Sequence, residues 1–208
     1  MANEADTCRK RVVPKLQAAG WDSEPYSIAE QRTITDGRIV PRGQGFLRKP
    51  PKRVDYLLRY RRDMPLAVVE AKAAYKTAFD GVQQARQYAE FLGLKFAYAT
   101  NGHELIEIDY FTGKETTVTE YPDPESLWKR YQVGAGIKPS MTAQLLQPFN
   151  HAVGKGERYY QQIAISRITE AILKGQRRVL VTMATGTGKT AVAFQLCWKL
   201  WSSRWNRT

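Results

Sequence analysis

The chain has 208 residues, with 32 Lys and Arg against 20 Asp and Glu, a formal net charge of +12 and 43% hydrophobic residues. That hydrophobic share excludes wholesale disorder, and the basic surplus favours a polyanionic partner, nucleic acid ahead of a membrane surface, over a merely well-solvated exterior. No apolar run reaches the roughly 18 residues of a spanning helix, no signal-peptide core opens the chain, and two distant cysteines, Cys8 and Cys197, point to a reducing cytoplasm without a disulfide framework.

Residues 3–19 read as a helix with Val12, Val13 and Leu16 on its apolar side and Gly20 as its stop. Pro14 inside that run predicts a kink or a division, because it has no N–H to donate. Glu4 reads either as a carboxylate leaning toward a site downstream or as an acid complementing the helix dipole. Beyond Trp21 the pattern is irregular, with Glu30–Thr35 a short strand. Arg38, Arg42, Arg48, Lys49, Lys52 and Arg53 then gather around Gly43, Gly45, Pro41 and Pro50. Such a basic loop either tracks a phosphate backbone or is simply solvated.

Two runs suited to strands follow, Arg53–Tyr60 and Leu66–Lys72, joined by residues 61–65 as a hairpin connection. Folding about residue 62 or 63 sets Asp55 opposite Glu70, and the strand period of two puts Lys72 on the same face with Ala71 pointing away. Two like charges facing each other call for something positive between them, and a hard divalent cation such as Mg²⁺ prefers oxygen ligands.

Thr77–Leu92 is an amphipathic helix with Phe79, Val82, Ala85, Ala89 and Leu92 as its stripe and Gly93 as its end. Gln84 and Tyr88, four apart, share one of its faces, which on its own describes an ordinary polar flank with a half-buried Tyr. Strands are expected at 94–100, 105–110 and 116–119, with turns at Asn101-Gly102 and Thr112-Gly113. Asp123-Pro124-Glu125-Ser126 then caps a helix containing Leu127 to Tyr131.

Residues 1–132 form one domain on this reading, 133–156 a linker, and 157–208 the incomplete start of a second. The last segment runs helix (157–174), strand (178–183), and the loop Ala184-Thr185-Gly186-Thr187-Gly188-Lys189-Thr190 opening a further helix. A strand, a Gly-containing loop ending Gly-Lys-Thr and a helix form a phosphate cradle, with Met183 standing where the full pattern has Gly. Lys189 would neutralise phosphate charge and Thr190 would ligate Mg²⁺. Only 208 − 189 = 19 residues follow Lys189, too few for a sheet and a second lobe, so the chain reads as the N-terminal piece of a longer protein without motor activity of its own.

The loop resembles motif I of superfamily 2 helicases, and Tyr160-Gln161-Gln162-Ile163-Ala164 resembles their adenine-reading segment, with Gln161 as base contact and Gly186, Gly188, Lys189 and Thr190 around the phosphates. Asp55, Glu70-Ala71-Lys72 and Gln84-x-x-x-Tyr88 resemble the PD-(D/E)xK nuclease superfamily, with Val54 in place of the usual Pro. Together the two motifs resemble the restriction (R) subunit of type I restriction–modification enzymes over the whole chain. That resemblance implies a restriction-endonuclease-like α/β fold, αβββαβ in outline, with a mixed sheet flanked by helices and a truncated P-loop (RecA-like) segment behind it. It implies Mg²⁺-dependent endonucleolytic cleavage of double-stranded DNA by a cytoplasmic, ATP-driven complex with methylation and specificity subunits.

Asp55 and Glu70, with the Ala71 carbonyl, would hold the metal, and Glu4 corresponds loosely to a further acid. Lys72 would complete the catalytic set, while Gln84 and Tyr88 would steady the DNA backbone or the neighbouring strand. ATP with Mg²⁺ would bind the full-length parent. Other readings are a DNA-binding or assembly module inactive in isolation, or the nuclease domain of another helicase–nuclease fusion.

Overall fold

The computed structural model describes residues 4–35, 39–42, 45–48, 51–151 and 158–205. They divide into two compact units, Met1–Trp128 and Lys129–Thr208. The first is built on a six-stranded sheet. In chain order its strands are β1 (Ser27–Thr35), β4 (Lys52–Arg61), β5 (Met64–Ala71), β6 (Phe96–Thr100), β7 (Leu105–Asp109) and β8 (Lys114–Val118). They also lie side by side in that order. Between β1 and β4 the chain makes a separate antiparallel ribbon, β2 (Ile39–Arg42) and β3 (Gly45–Arg48). Of the basic residues expected in that stretch, Arg38 and Lys49 and the side chains of Arg42 and Arg48 lie outside the described residues.

The β4–β5 hairpin turns through Arg62-Asp63, tighter than the five-residue connection read from sequence, with Arg61 already facing Met64. Seven of the eight β5 residues are buried, as befits a strand covered on both faces; the exception is Pro65, at the strand's start, where a missing N–H is tolerated. β5 pairs antiparallel with β4 and parallel with β6. A parallel neighbour needs a crossover. The crossover is the helix α3 (Phe79–Leu92), closed by Gly93 in the left-handed conformation.

Strand alternation sorts the side chains. Leu57, Val68, Ala97, Ala99, Ile106 and Ile108 share one sheet face and form a core with Val82, Ala85, Tyr88 and Ala89 of α3. The alanines on both partners let the helix lie close. Phe79, expected in the apolar stripe, is instead 67% exposed, and Gly81 and Tyr88 complete the buried side. On the opposite face Tyr60 stacks on Trp128 at 4.7 Å, and Trp21, fully buried, donates its indole N–H to the Pro122 carbonyl.

The N-terminal helix is divided as Pro14 requires: α1 (Glu4–Thr7), a π-helical turn (Cys8–Val12) and α2 (Val13–Ala18). Pro14 lacks the N–H of a regular turn, and the wider winding just before it absorbs that gap. The helix is tied to the rest of the unit by Lys15 Nζ on the Gly102 carbonyl and by Thr7 Oγ1, which accepts from the Ala74 N–H. At the far edge β8 carries Lys114, Glu115, Thr116 and Thr117, all exposed, and Arg86 of α3 pairs with Glu115.

α4 (Pro124–Ala135) begins where expected, with Asp123 Oδ1 accepting from the Ser126 N–H. A 3-10 turn at Pro139–Met141 follows, then α5 (Thr142–Leu146), α6 (Tyr159–Leu173) and α7 (Lys189–Ser202). The second unit centres on Phe149, Ile165, Ile168 and Val192. Residues 178–183, expected as a strand, form none, and Leu180 is 92% exposed. A β run needs a neighbour to take its backbone hydrogen bonds, and no strand is present among the described residues of this unit. No helix among the described residues is long and apolar enough to cross a membrane.

Gly102 is the tightest joint in the first unit. Its φ is +87°, and a Cβ there would sit 2.8 Å from Arg11 Cδ and 2.9 Å from Arg11 Cβ. Gly102→Ala should therefore cost about 1–3 kcal/mol, from backbone strain and from pushing the N-terminal helix off the turn. Urea unfolding monitored by tryptophan fluorescence measures it, and an unchanged midpoint would show that the helix is not seated there.

Candidate active site

The hairpin register continues from Tyr56↔Val69 to set Asp55 across from Glu70, as folding about the turn requires. Both acids are buried, Asp55 at 8% and Glu70 at 2% exposure. α1 adds exposed Glu4, and one carboxylate oxygen from each of Glu4, Asp55 and Glu70 lies within 4.8 Å of the others. Two carboxylates at that spacing repel by about 3 kcal/mol at an effective dielectric near 20, so the cluster needs positive charge or a proton.

Part of the answer is Lys72, whose Nζ donates to Glu70 Oε1 at 2.8 Å. The same ammonium donates to Gln84 Oε1 at 2.8 Å, and Gln84 Nε2 donates to the Tyr88 hydroxyl at 2.7 Å. The helix pair is thus aimed at Lys72 rather than outward. Gly81 brings α3 close enough for this: a Cβ there would lie 3.4 Å from Lys72 Cγ and 3.6 Å from Glu70 Cγ. On β5 the Ala71 N–H donates to Asp55 Oδ2 at 2.8 Å, and on β1 Gln31 Nε2 donates to Asp55 Oδ1 at 2.9 Å. Gln31 escapes a reading by residue type, because nothing marks it until β1 is laid beside β4.

Glu70 Oε2 is buried without a hydrogen-bond partner. Burial, and then the charge of Asp55, push the Glu70 carboxyl up to about 8 against the pull of Lys72. Burial lowers Lys72, but the hydrogen bond and charge of Glu70 outweigh it and leave Lys72 raised overall. An orphaned, desolvated carboxylate oxygen facing two further carboxylates is an all-oxygen donor set suited to a hard divalent cation. Behind it, Cys8 and Tyr56 share a hydrogen bond, and burial pushes the Cys8 thiol up to about 11.

In the second unit the loop before α7 bends through Gly186 (φ +79°) and Gly188 (φ +87°). Gln161 Nε2 donates to the Thr187 carbonyl at 2.8 Å, so it braces the loop's backbone. Lys189 Nζ folds back on the carbonyls of Met183 and Ala184 at 3.1 and 3.2 Å, while Thr190 is exposed in the first turn of α7. A cleft of about 460 Å³ runs beside them, lined by Tyr160, Ile163, Met183 and Thr187 among others.

Residues 25–116 match the family described as type I restriction enzyme R protein N terminus, and residues 155–208 match the type III restriction enzyme res subunit family. The chain is 38% identical over 208 residues to the type I restriction enzyme EcoAI endonuclease subunit of Escherichia coli, an alignment covering 97% of this chain and 26% of that one. To the EcoKI endonuclease subunit of E. coli strain K12 it is 30% identical over 152 residues, covering 67% and 12% respectively. It thus spans well under a third of the length of either curated relative. A fragment structure of an HsdR subunit of a type I restriction enzyme from Vibrio vulnificus YJ016 superposes with a TM-score of 0.92 at 55% identity, over 100% of this chain and 40% of that one.

The two thiols should behave differently. Cys8 is buried and Cys197 exposed. At pH 8 a thiol with a pKa near 11 is ionised in roughly one molecule per thousand, and the thiolate is the reactive form. A disulfide reagent should therefore titrate one thiol rapidly in the folded chain and two in guanidinium; two rapid thiols in the folded chain would contradict the packing of Cys8.

Proposed function

Because the chain belongs to the R-protein family of type I restriction enzymes, we propose that its first unit is the DNA-cleaving part of such an enzyme, a Mg²⁺-dependent endonuclease acting on double-stranded DNA. The observation that carries this is the convergence of Asp55, Glu70 and Lys72 on one face at the end of a hairpin, with Glu4 beside them. The reaction class is that of the endonuclease subunits the chain resembles, and the cluster of oxygen donors favours a hard cation. Asp55 and Glu70, joined by Glu4, would hold Mg²⁺, which when bound supplies a polarised phosphoryl oxygen and a more acidic water.

The chain's own groups have definable tasks. Asp55 is held from two sides, by Gln31 and by the Ala71 N–H, so its carboxylate plane is fixed before substrate arrives. Lys72 spends two of its three N–H donors on Glu70 and Gln84 and keeps one for a water or a phosphate oxygen. Developing negative charge on a transferring phosphoryl group is stabilised by a cation held in place beforehand. Gln84 and Tyr88 belong to that holding, since they fix where the ammonium points. The net charge of +12 suits a phosphate backbone.

In the parent enzyme the second unit would bind ATP with Mg²⁺ through Gly186, Gly188, Lys189 and Thr190, with Gln161 supporting the loop. Methylation and specificity subunits would assemble with that parent in the cytoplasm.

A plasmid-nicking assay with Mg²⁺ tests the reading, on this chain and on the assembled enzyme. Asp55→Ala, Glu70→Ala and Lys72→Ala should each lose on the order of 100-fold or more of the cleavage rate. Cleavage that survives all three would place the active site elsewhere. Tyr88→Phe removes the acceptor for Gln84 Nε2 and should cost about tenfold, less than Lys72→Ala. Equal losses would instead give Tyr88 a direct part in the chemistry.

A further inference from the structure

Gln31 is the one residue on β1 at which the ladder to β4 breaks beside the acids. Glu30 faces Tyr56 and Arg32 faces Val54, so the register sets Gln31 against Asp55, yet that pair is missing. The backbone explains the gap: Gln31 has φ +45°, a conformation L side chains seldom adopt. Gly or Asn is the usual occupant of such a position, and a Gln there carries a cost of roughly 1–3 kcal/mol that the surrounding fold must impose. Opposite Asp55 in that register, the Gln31 amide Nε2 donates to Asp55 Oδ1 at 2.9 Å.

We propose that Gln31 is a positioning residue for the acid cluster, its amide N–H fixing Asp55. The inference rests on the reading of Asp55 and Glu70 as metal ligands. Asp55 Oδ2 already accepts from the Ala71 N–H. A single donor leaves a carboxylate free to rotate about its Cβ–Cγ bond; a second donor on the other oxygen locks the plane. Each oxygen then keeps a lone pair directed away from its donor, available to a cation. Outer hydrogen bonds of this sort set ligand geometry, and their loss characteristically weakens metal binding about 10–100-fold. Gln31 itself is exposed on the strand surface, so it does not act by filling the core.

The test separates the amide from the backbone. Isothermal titration of the whole chain with Mn²⁺ and no DNA reads the affinity, and thermal unfolding in EDTA reads the fold. Gln31→Leu removes the hydrogen bond with little change in size; Gln31→Gly removes it and relieves the backbone as well. Both should bind Mn²⁺ about tenfold more weakly than the native chain, while Gln31→Gly unfolds in EDTA at the native temperature or above it. Native Mn²⁺ affinity in the glycine variant would overturn the proposal and leave Gln31 as a structural irregularity. A native chain that binds Mn²⁺ no better than Asp55→Ala would instead remove the metal-site reading, and this proposal with it.

Discussion

Two carboxylates held on the same sheet face, in register and out of water, are the constraint around which the first unit is arranged. The hairpin slips out of step at Arg59↔Pro65 and is back in step from Leu58↔Ala67 to Tyr56↔Val69, which sets Asp55 across from Glu70. Their mutual repulsion is then a standing cost in the folded protein, and the neighbouring elements read as responses to it. Lys72 follows Glu70 by one strand period. α3 is drawn down onto the sheet at Gly81, and the N-terminal helix is seated against Gly102 with its first turn at the acids.

The sheet topology decides which groups can take part. β5 has an antiparallel neighbour, β4, on one side and a parallel one, β6, on the other, so the chain must cross over between β5 and β6. The crossover helix necessarily starts near the end of β5, where Glu70 and Lys72 lie. Gln84 and Tyr88, one turn apart, are therefore delivered to the ammonium by the same connection that closes the fold. Alanine at Ala85, Ala89, Ala97 and Ala99 permits the approach. The geometry of the candidate site and the βαβ connection are one feature at two scales.

Much of this was legible in the sequence because it depends on counting. The Asp55–Glu70 pairing follows from a midpoint, the place of Lys72 from a period of two, and the Gln84–Tyr88 face from a period near four. The N-cap at Asp123 and the division at Pro14 follow from single residues with a backbone consequence. What could not be read depends on partners that a one-dimensional pattern does not carry. Phe79 matches a helical stripe yet faces out, because the helix begins at that residue and turns Gly81 to the sheet instead. Residues 178–183 have strand composition, but with no strand alongside they stay irregular. Gln84 and Tyr88 share a helix face by spacing, and only the packed helix shows that the group Gln84 meets is Lys72. Gln31 is the extreme case, a residue marked only once β1 is laid beside β4.

The edge strand β8 carries no part of the acid cluster, yet its composition has a consequence of its own. A terminal strand offers a row of free amides and carbonyls that another chain can extend into a continuous ribbon. Here that margin is short, bears Lys114 and Glu115 side by side, and is braced from behind by Arg86. An incoming strand would have to bury both charges and displace a guanidinium. That edge is thus guarded against the addition of a strand from another chain.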